Sequence, residues 1–172
     1  MSSTNLKWAG VLLAVALAWP ATAAAAASAR AEGVSGADVV KVLQDAGYRA
    51  QLDKDDDGDP RIVTKMSGAT VHVVFYDCAQ DRCGSLQLAV ALDLEQGYTL
   101  EGVNRFNAQY RYARAYLDDE MDPFLQFDFE VLHTAPSEHI ASQIALWEDV
   151  LGKFLQATGD RDGADAGDDG AA

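Results

Sequence analysis

Positive charge is what this chain has least of: 13 Lys and Arg stand against 27 Asp and Glu, a formal net charge of −14 over 172 residues. Nucleic-acid binding needs clustered cations, and so does a polybasic membrane-binding face, so the sequence predicts neither. Histidine is scarcer still, with three. His72, His133 and His139 fall in separate predicted elements, without an H-E-x-x-H and without a Ser or Cys in a nucleophile setting. The acids are plentiful but spread over turns and outward strand positions, not paired in apolar surroundings that would split their pKa values. No enzyme, cofactor or metal centre is therefore expected. Cysteine is limited to Cys78 and Cys83.

What the chain does have begins at its N-terminus. Polar residues with Lys7 precede an apolar run from Trp8 to Trp19, then Pro20 and an alanine-rich stretch to Ala31. This is the pattern of a secretory signal peptide, with cleavage expected after Ala23, Ala27, Ala29 or Ala31. Pro20, Thr22 and the alanines make it a poor membrane span, so no anchor is expected after cleavage. Residues 1–31 are read as the signal and the mature chain as periplasmic. Their loss removes Lys7 and Arg30 and no acid, taking the formal charge from −14 to −16.

The remaining length suffices for one domain with a core. Ser35-x-x-Asp38 predicts a helix start, and Val39, Val40, Val42, Leu43 and Ala46 an apolar side ending at Gly47. Extended runs are predicted at Tyr48–Leu52, Arg61–Met66, Thr70–Asp77 and Ser85–Leu94, joined by short turns as an antiparallel meander. Thr99 caps a second predicted helix, Arg111–Leu117 and Pro123–Leu132 are further strands, and Ile140, Ile144, Trp147, Leu151 and Phe154 stripe a last helix from Pro136. The order α-β-β-β-β-α-β-β-α predicts an α+β domain with helices on an antiparallel sheet. Residues 158–172, all small or charged after Thr158, are predicted to be a disordered acidic tail.

Cys78 and Cys83 flank Ala79–Arg82, where a hairpin would bring neighbouring strands to a Cα separation of about 4.5–5.5 Å. In an oxidising compartment they are expected to bond, and so short a loop is worth roughly 2 kcal/mol in the chain-entropy model. A redox pair would want Cys-x-x-Cys at a helix N-terminus, and a metal site needs two more ligands. Asp53-Lys54-Asp55-Asp56-Asp57-Gly58 matches the first half of a calcium loop, giving Asp53, Asp55 and Asp57 as candidate ligands. Thr64 stands where the loop needs a bidentate Glu, and a strand precedes it, so the reading preferred for Asp53–Asp59 is a hairpin turn. A calcium-responsive protein is the alternative function.

The least acidic region of the mature chain holds Asn104, Asn107, Arg111, Tyr112, Arg114 and Tyr116. Asn104 and Asn107 are one helical turn apart; Tyr112, Arg114 and Tyr116 would share a strand face, with Arg114 between rings. Two readings stand. Either these residues line a polar groove for a peptide or small ligand, or the asparagines cap backbone and Arg114 pairs with Asp128 or Glu130.

Tyr76-Asp77-Cys78, Cys83-Gly84-Ser85-Leu86-Gln87, Asn104-Arg105-Phe106-Asn107 and Arg111-Tyr112-Ala113-Arg114-Ala115-Tyr116-Leu117-Asp118 together resemble the YbjN family, often labelled bacterial sensory transduction regulators. The resemblance runs from about Val34 to Ala157. It implies a fold similar to type III secretion chaperones, with three helices around an antiparallel sheet, and no catalytic residues. It also implies a protein or peptide partner held as an extended segment, and a possible homodimer.

Overall fold

The structure is a computed structural model and describes residues 33–159. The expected signal peptide and most of the expected acidic tail lie outside the described residues. Helix α1 (Gly36–Asp45) starts as the sequence requires. The Ser35 hydroxyl accepts from the Asp38 N–H at 3.2 Å, and the Asp38 carboxylate accepts from the Ser35 N–H at 2.9 Å. That backbone hydrogen bond from Ser35 is the main cause holding the Asp38 pKa below its usual value. The helix ends in a Schellman arrangement: Gly47, at φ 92°, donates to Gln44, and Tyr48 donates to Leu43. Because Tyr48 closes the helix, β1 starts two residues later than expected and runs Ala50–Lys54.

The meander continues through β2 (Pro60–Met66), β3 (Ala69–Ala79) and β4 (Arg82–Ala91). Helix α2 (Leu100–Gln109) then carries the chain to β5 (Arg114–Leu117), β6 (Pro123–Glu130) and α3 (Pro136–Gly159). All pairings are antiparallel, in the order β1-β2-β3-β4-β6-β5. The α+β class and element order follow the sequence reading. The position of β6 between β4 and β5 does not follow from any local pattern. It arises because α2 carries the chain past one strand width, leaving a slot that β6 fills on its return.

Ile62, Val73, Phe75, Leu88, Leu125 and Phe127 project from one sheet face and meet Val39 and Leu43 of α1, Val103 and Phe106 of α2, and the α3 stripe. That stripe, Ile140–Ile144–Trp147–Leu151–Phe154, is buried throughout. Helix α3 extends the domain to Gly159. Thr158, read from sequence as the start of the tail, is buried and donates to the Phe154 carbonyl at 2.9 Å.

The cysteine hairpin is tighter than predicted. Strands β3 and β4 run to Ala79 and from Arg82, so the turn is only Gln80-Asp81, with φ of 54° and 61°. Two successive positive φ values mark the turn whose twist suits a two-residue hairpin. Cys78 and Cys83 are thus ladder partners, disulfide-bonded with Cα atoms 3.9 Å apart. Cys83 turns its own N–H and C=O the other way, onto Val34 at 2.9 and 3.0 Å. The cysteines are therefore a non-hydrogen-bonded pair, the closer kind, and the hairpin also anchors the first described residues of the chain.

Tyr48 supplies a pH test. Burial first, then its hydrogen bond and proximity to Glu148, pushes its pKa up to about 12, against about 10 for an unfolded tyrosine. The unfolded chain therefore loses this proton first. The stabilisation is complete below pH 10 and lost as pH rises through about 12. In a tyrosinate absorbance titration, the difference between wild type and Tyr48→Phe should have its midpoint near the upper value; a midpoint near 10 would overturn the assignment.

Candidate binding surface

Strand alternation sends every second side chain to the sheet face opposite the core. Among the described residues no helix covers that face. Across its middle run Gln51, Val63, His72, Ala89, Gln126 and Arg114 as consecutive cross-strand partners, with Arg61, Val74, Gln87 and Asp128 in the adjacent row. Val63, His72, Val74, Ala89 and Gln126 are half-buried by their neighbours alone.

A polar network spans three strands at one end of this face. Arg114 donates from Nε and Nη2 to the Gln126 Oε1 at 3.0 and 2.5 Å, and Gln126 donates to the Tyr116 hydroxyl at 3.0 Å. Arg114 also lies 3.8 Å from the Asp128 carboxylate, whose other oxygen accepts from Gln87 at 2.6 Å. Tyr116 stacks on Phe124 with ring centroids 5.1 Å apart. The result is a cation, the Gln126 amide and an aromatic surface fixed on strands, backed by Gln87, which is buried at 6% exposure. This is a chemistry suited to a polypeptide's carbonyls, carboxylates and rings.

The six residues singled out in sequence do not act as one group. Arg114 and Tyr116 belong to the network, but Arg114 is held by Gln126 and Asp128, not between rings. The ring contact falls to Arg111, whose guanidinium sits 4.8 Å from the centre of Tyr112. Tyr112 does not share the strand. It has φ 77° and precedes β5, which is three residues shorter at its start than the predicted Arg111–Leu117.

Asn107 is structural. Its Nδ2 donates to the Ala115 carbonyl at 3.0 Å and its Oδ1 accepts the Ala115 N–H at 2.8 Å, on the side of β5 away from β6. One side-chain amide thus stands in for a neighbouring strand. Asn104 is exposed on α2.

The acidic turn is likewise accounted for locally. Asp53 is in β1, while the Asp55 carboxylate accepts the N–H groups of Asp57 and Asp59 at 3.1 and 2.9 Å. Among the described residues no three His, Cys, Asp or Glu side chains are grouped to hold a metal ion. His72 lies on the uncovered face, His133 follows β6, and His139 packs edge-on against Phe129. Among the described residues no helix is long and apolar enough to cross a membrane.

Sequence reasoning missed Gln87, Gln126 and the His72–Val74 patch as parts of one surface. The available signal was the outward register of β3, in which His72, Val74 and Tyr76 are too apolar for a strand face meant only for water.

A family model, YbjN, described as "Putative bacterial sensory transduction regulator", matches residues 35–159. No curated protein and no solved structure gives a significant match.

Proposed function

The chain belongs to the YbjN family, and on that premise we propose that it works in the periplasm by binding another polypeptide on the uncovered face of its sheet, without catalysis. The observation that carries this reading is the face itself: six strands, half-buried Val63, His72, Val74 and Ala89, and a preset network from Gln87 to Tyr116. The family's regulatory description is consistent with a domain that acts through contact. The disulfide and the N-terminal sequence support the compartment, since a Cys78–Cys83 bond persists under oxidising conditions. Cleavage at any of the expected alanines would leave the Val34–Cys83 bridge intact.

A photo-crosslinking residue at Val74 should form a discrete adduct in cell envelopes, and the same residue at Asp149, on the helical side, should not. Arg114→Ala with Gln126→Ala should lower the adduct yield about tenfold. Their effect on stability should stay within about 1 kcal/mol, because the Arg114–Asp128 pair is exposed. Equal labelling from positions 74 and 149 would remove the face from consideration.

A further inference from the structure

The two edges of the sheet are not equivalent. At β5 the outward N–H and C=O of Ala115 are closed by Asn107. At β1 the state of the edge follows from the hairpin. Asp55 donates to the Asp59 carbonyl at 2.9 Å, and hydrogen-bonded pairs alternate along an antiparallel ladder. Asp53 and Gln51 therefore bond to β2, while Ala50, Leu52 and Lys54 turn their N–H and C=O groups outward. Pro60 opposite Lys54, with no N–H to give, fits that phase. Lys54 directs its N–H to its neighbour Asp53 at 2.9 Å. Among the described residues nothing closes Ala50 and Leu52 in this way.

Leu52 is 46% exposed at this edge. It rests on the first turn of α1, where a Cβ on Gly36 would come 2.6 Å from its Cδ1. Beside it lies an open groove of about 510 Å³ lined by Gly36, Ala37, Leu52, Lys54, Pro60 and Asp81. An unpaired edge with an exposed apolar side chain is a template for another strand.

The occupant is set by charge. The β1–β2 turn holds Asp53, Asp55, Asp56, Asp57 and Asp59, and Asp81 adjoins it. The nearby cations are Lys54, 4.0 Å from Asp81, Arg61, and Arg82, 3.5 Å from Asp38, so acids outnumber bases there. A second copy would bring together two chains each of −14. We propose that β1 takes up an extended, basic segment of another protein as a seventh, antiparallel strand. Its cationic N-terminal end would lie against the Asp53–Asp59 turn, and an apolar side chain would sit on Leu52. This rests on the polypeptide-binding reading only for the class of partner; the edge and the uncovered face are separate surfaces.

The test uses an acetylated peptide of two Arg followed by alternating Val and Thr, a control in which Glu replaces both Arg, and amide hydrogen exchange. Saturating basic peptide should slow exchange at Ala50 and Leu52 about tenfold and leave Gln51 and Asp53, already bonded to β2, unchanged. Leu52→Pro and, independently, Ala50→Pro each delete an outward N–H that β2 does not use. Each should weaken peptide binding about tenfold while keeping the wild-type amide spectrum elsewhere. The Glu peptide should bind about tenfold less well. Binding without protection of Ala50 and Leu52, equal binding of the two peptides, or a dimer that Leu52→Pro dissolves would each overturn the proposal. Loss of the Val74 crosslink with protection intact would remove the face reading and leave this one standing.

Discussion

Trp147→Ala should lower the unfolding free energy by about 3–5 kcal/mol, the range for emptying a buried aromatic site. Trp147 is the largest fully buried side chain among the described residues, with no exposed surface, and its ring centre lies 6.4 Å from that of Phe127 between α3 and β6. Truncation takes away the contact through which the long helix holds the sheet. The loss is a large share of a typical domain stability of about 5–15 kcal/mol. The indole N–H has no hydrogen-bond partner among the described residues, and a buried donor left unpaired costs about 1–3 kcal/mol. Trp147→Phe, which keeps a ring and removes that donor, should therefore cost far less than the alanine change. Urea denaturation with an unchanged m-value checks both. An alanine variant within about 1 kcal/mol of wild type would mean that the α3 stripe is not the centre of the core.

Asn107→Ala should lower stability by about 1–3 kcal/mol, because it strips both hydrogen bonds from the partly buried Ala115 backbone. A second consequence is association. Without the amide, β5 presents the same kind of open edge that β1 has. The cations Arg111 and Arg114 stand at one end of it and the acids Asp118, Asp119 and Glu120 at the other, so two copies paired antiparallel would set opposite charges together. The variant should form concentration-dependent oligomers by light scattering where wild type does not. Asn107→Asp keeps the acceptor for the Ala115 N–H but sets a carboxylate against its carbonyl, so it should be no more stable than the alanine variant. If Asn107→Ala matched wild type in both stability and size, the amide would not be the edge's closure, and its place in the sequence motif would need a binding explanation.

These expectations locate what was legible in advance. Helix α1 was readable because its signals are local: Ser35 and Asp38 satisfy each other three residues apart, and Gly47 supplies the positive φ that ends the helix. The α3 stripe and the alternation of β3, β4 and β6 were readable because burial on one face imposes a period. The cysteine pair was readable as a bonded hairpin, but not as a ladder pair, because turn length depends on backbone twist more than on the identity of Gln80 and Asp81. The candidate surface was hardly readable. Gln87, Gln126, Arg114 and Asp128 are distant in sequence and ordinary in type, and they meet only because β6 inserts between β4 and β5.

The sequence by itself determined the family, the α+β class, the disulfide pairing and the strongly acidic character, since each depends on composition, on neighbours within a few residues or on a periodic pattern. Among the described residues, the tertiary structure alone decided which face of the sheet stays bare, where Asn107 closes an edge and where the other is left open, at Ala50 and Leu52. Those outcomes rest on strand order and ladder phase. Both are set by non-local pairings, whose free energy comes from burying the whole core at once and not from any single segment.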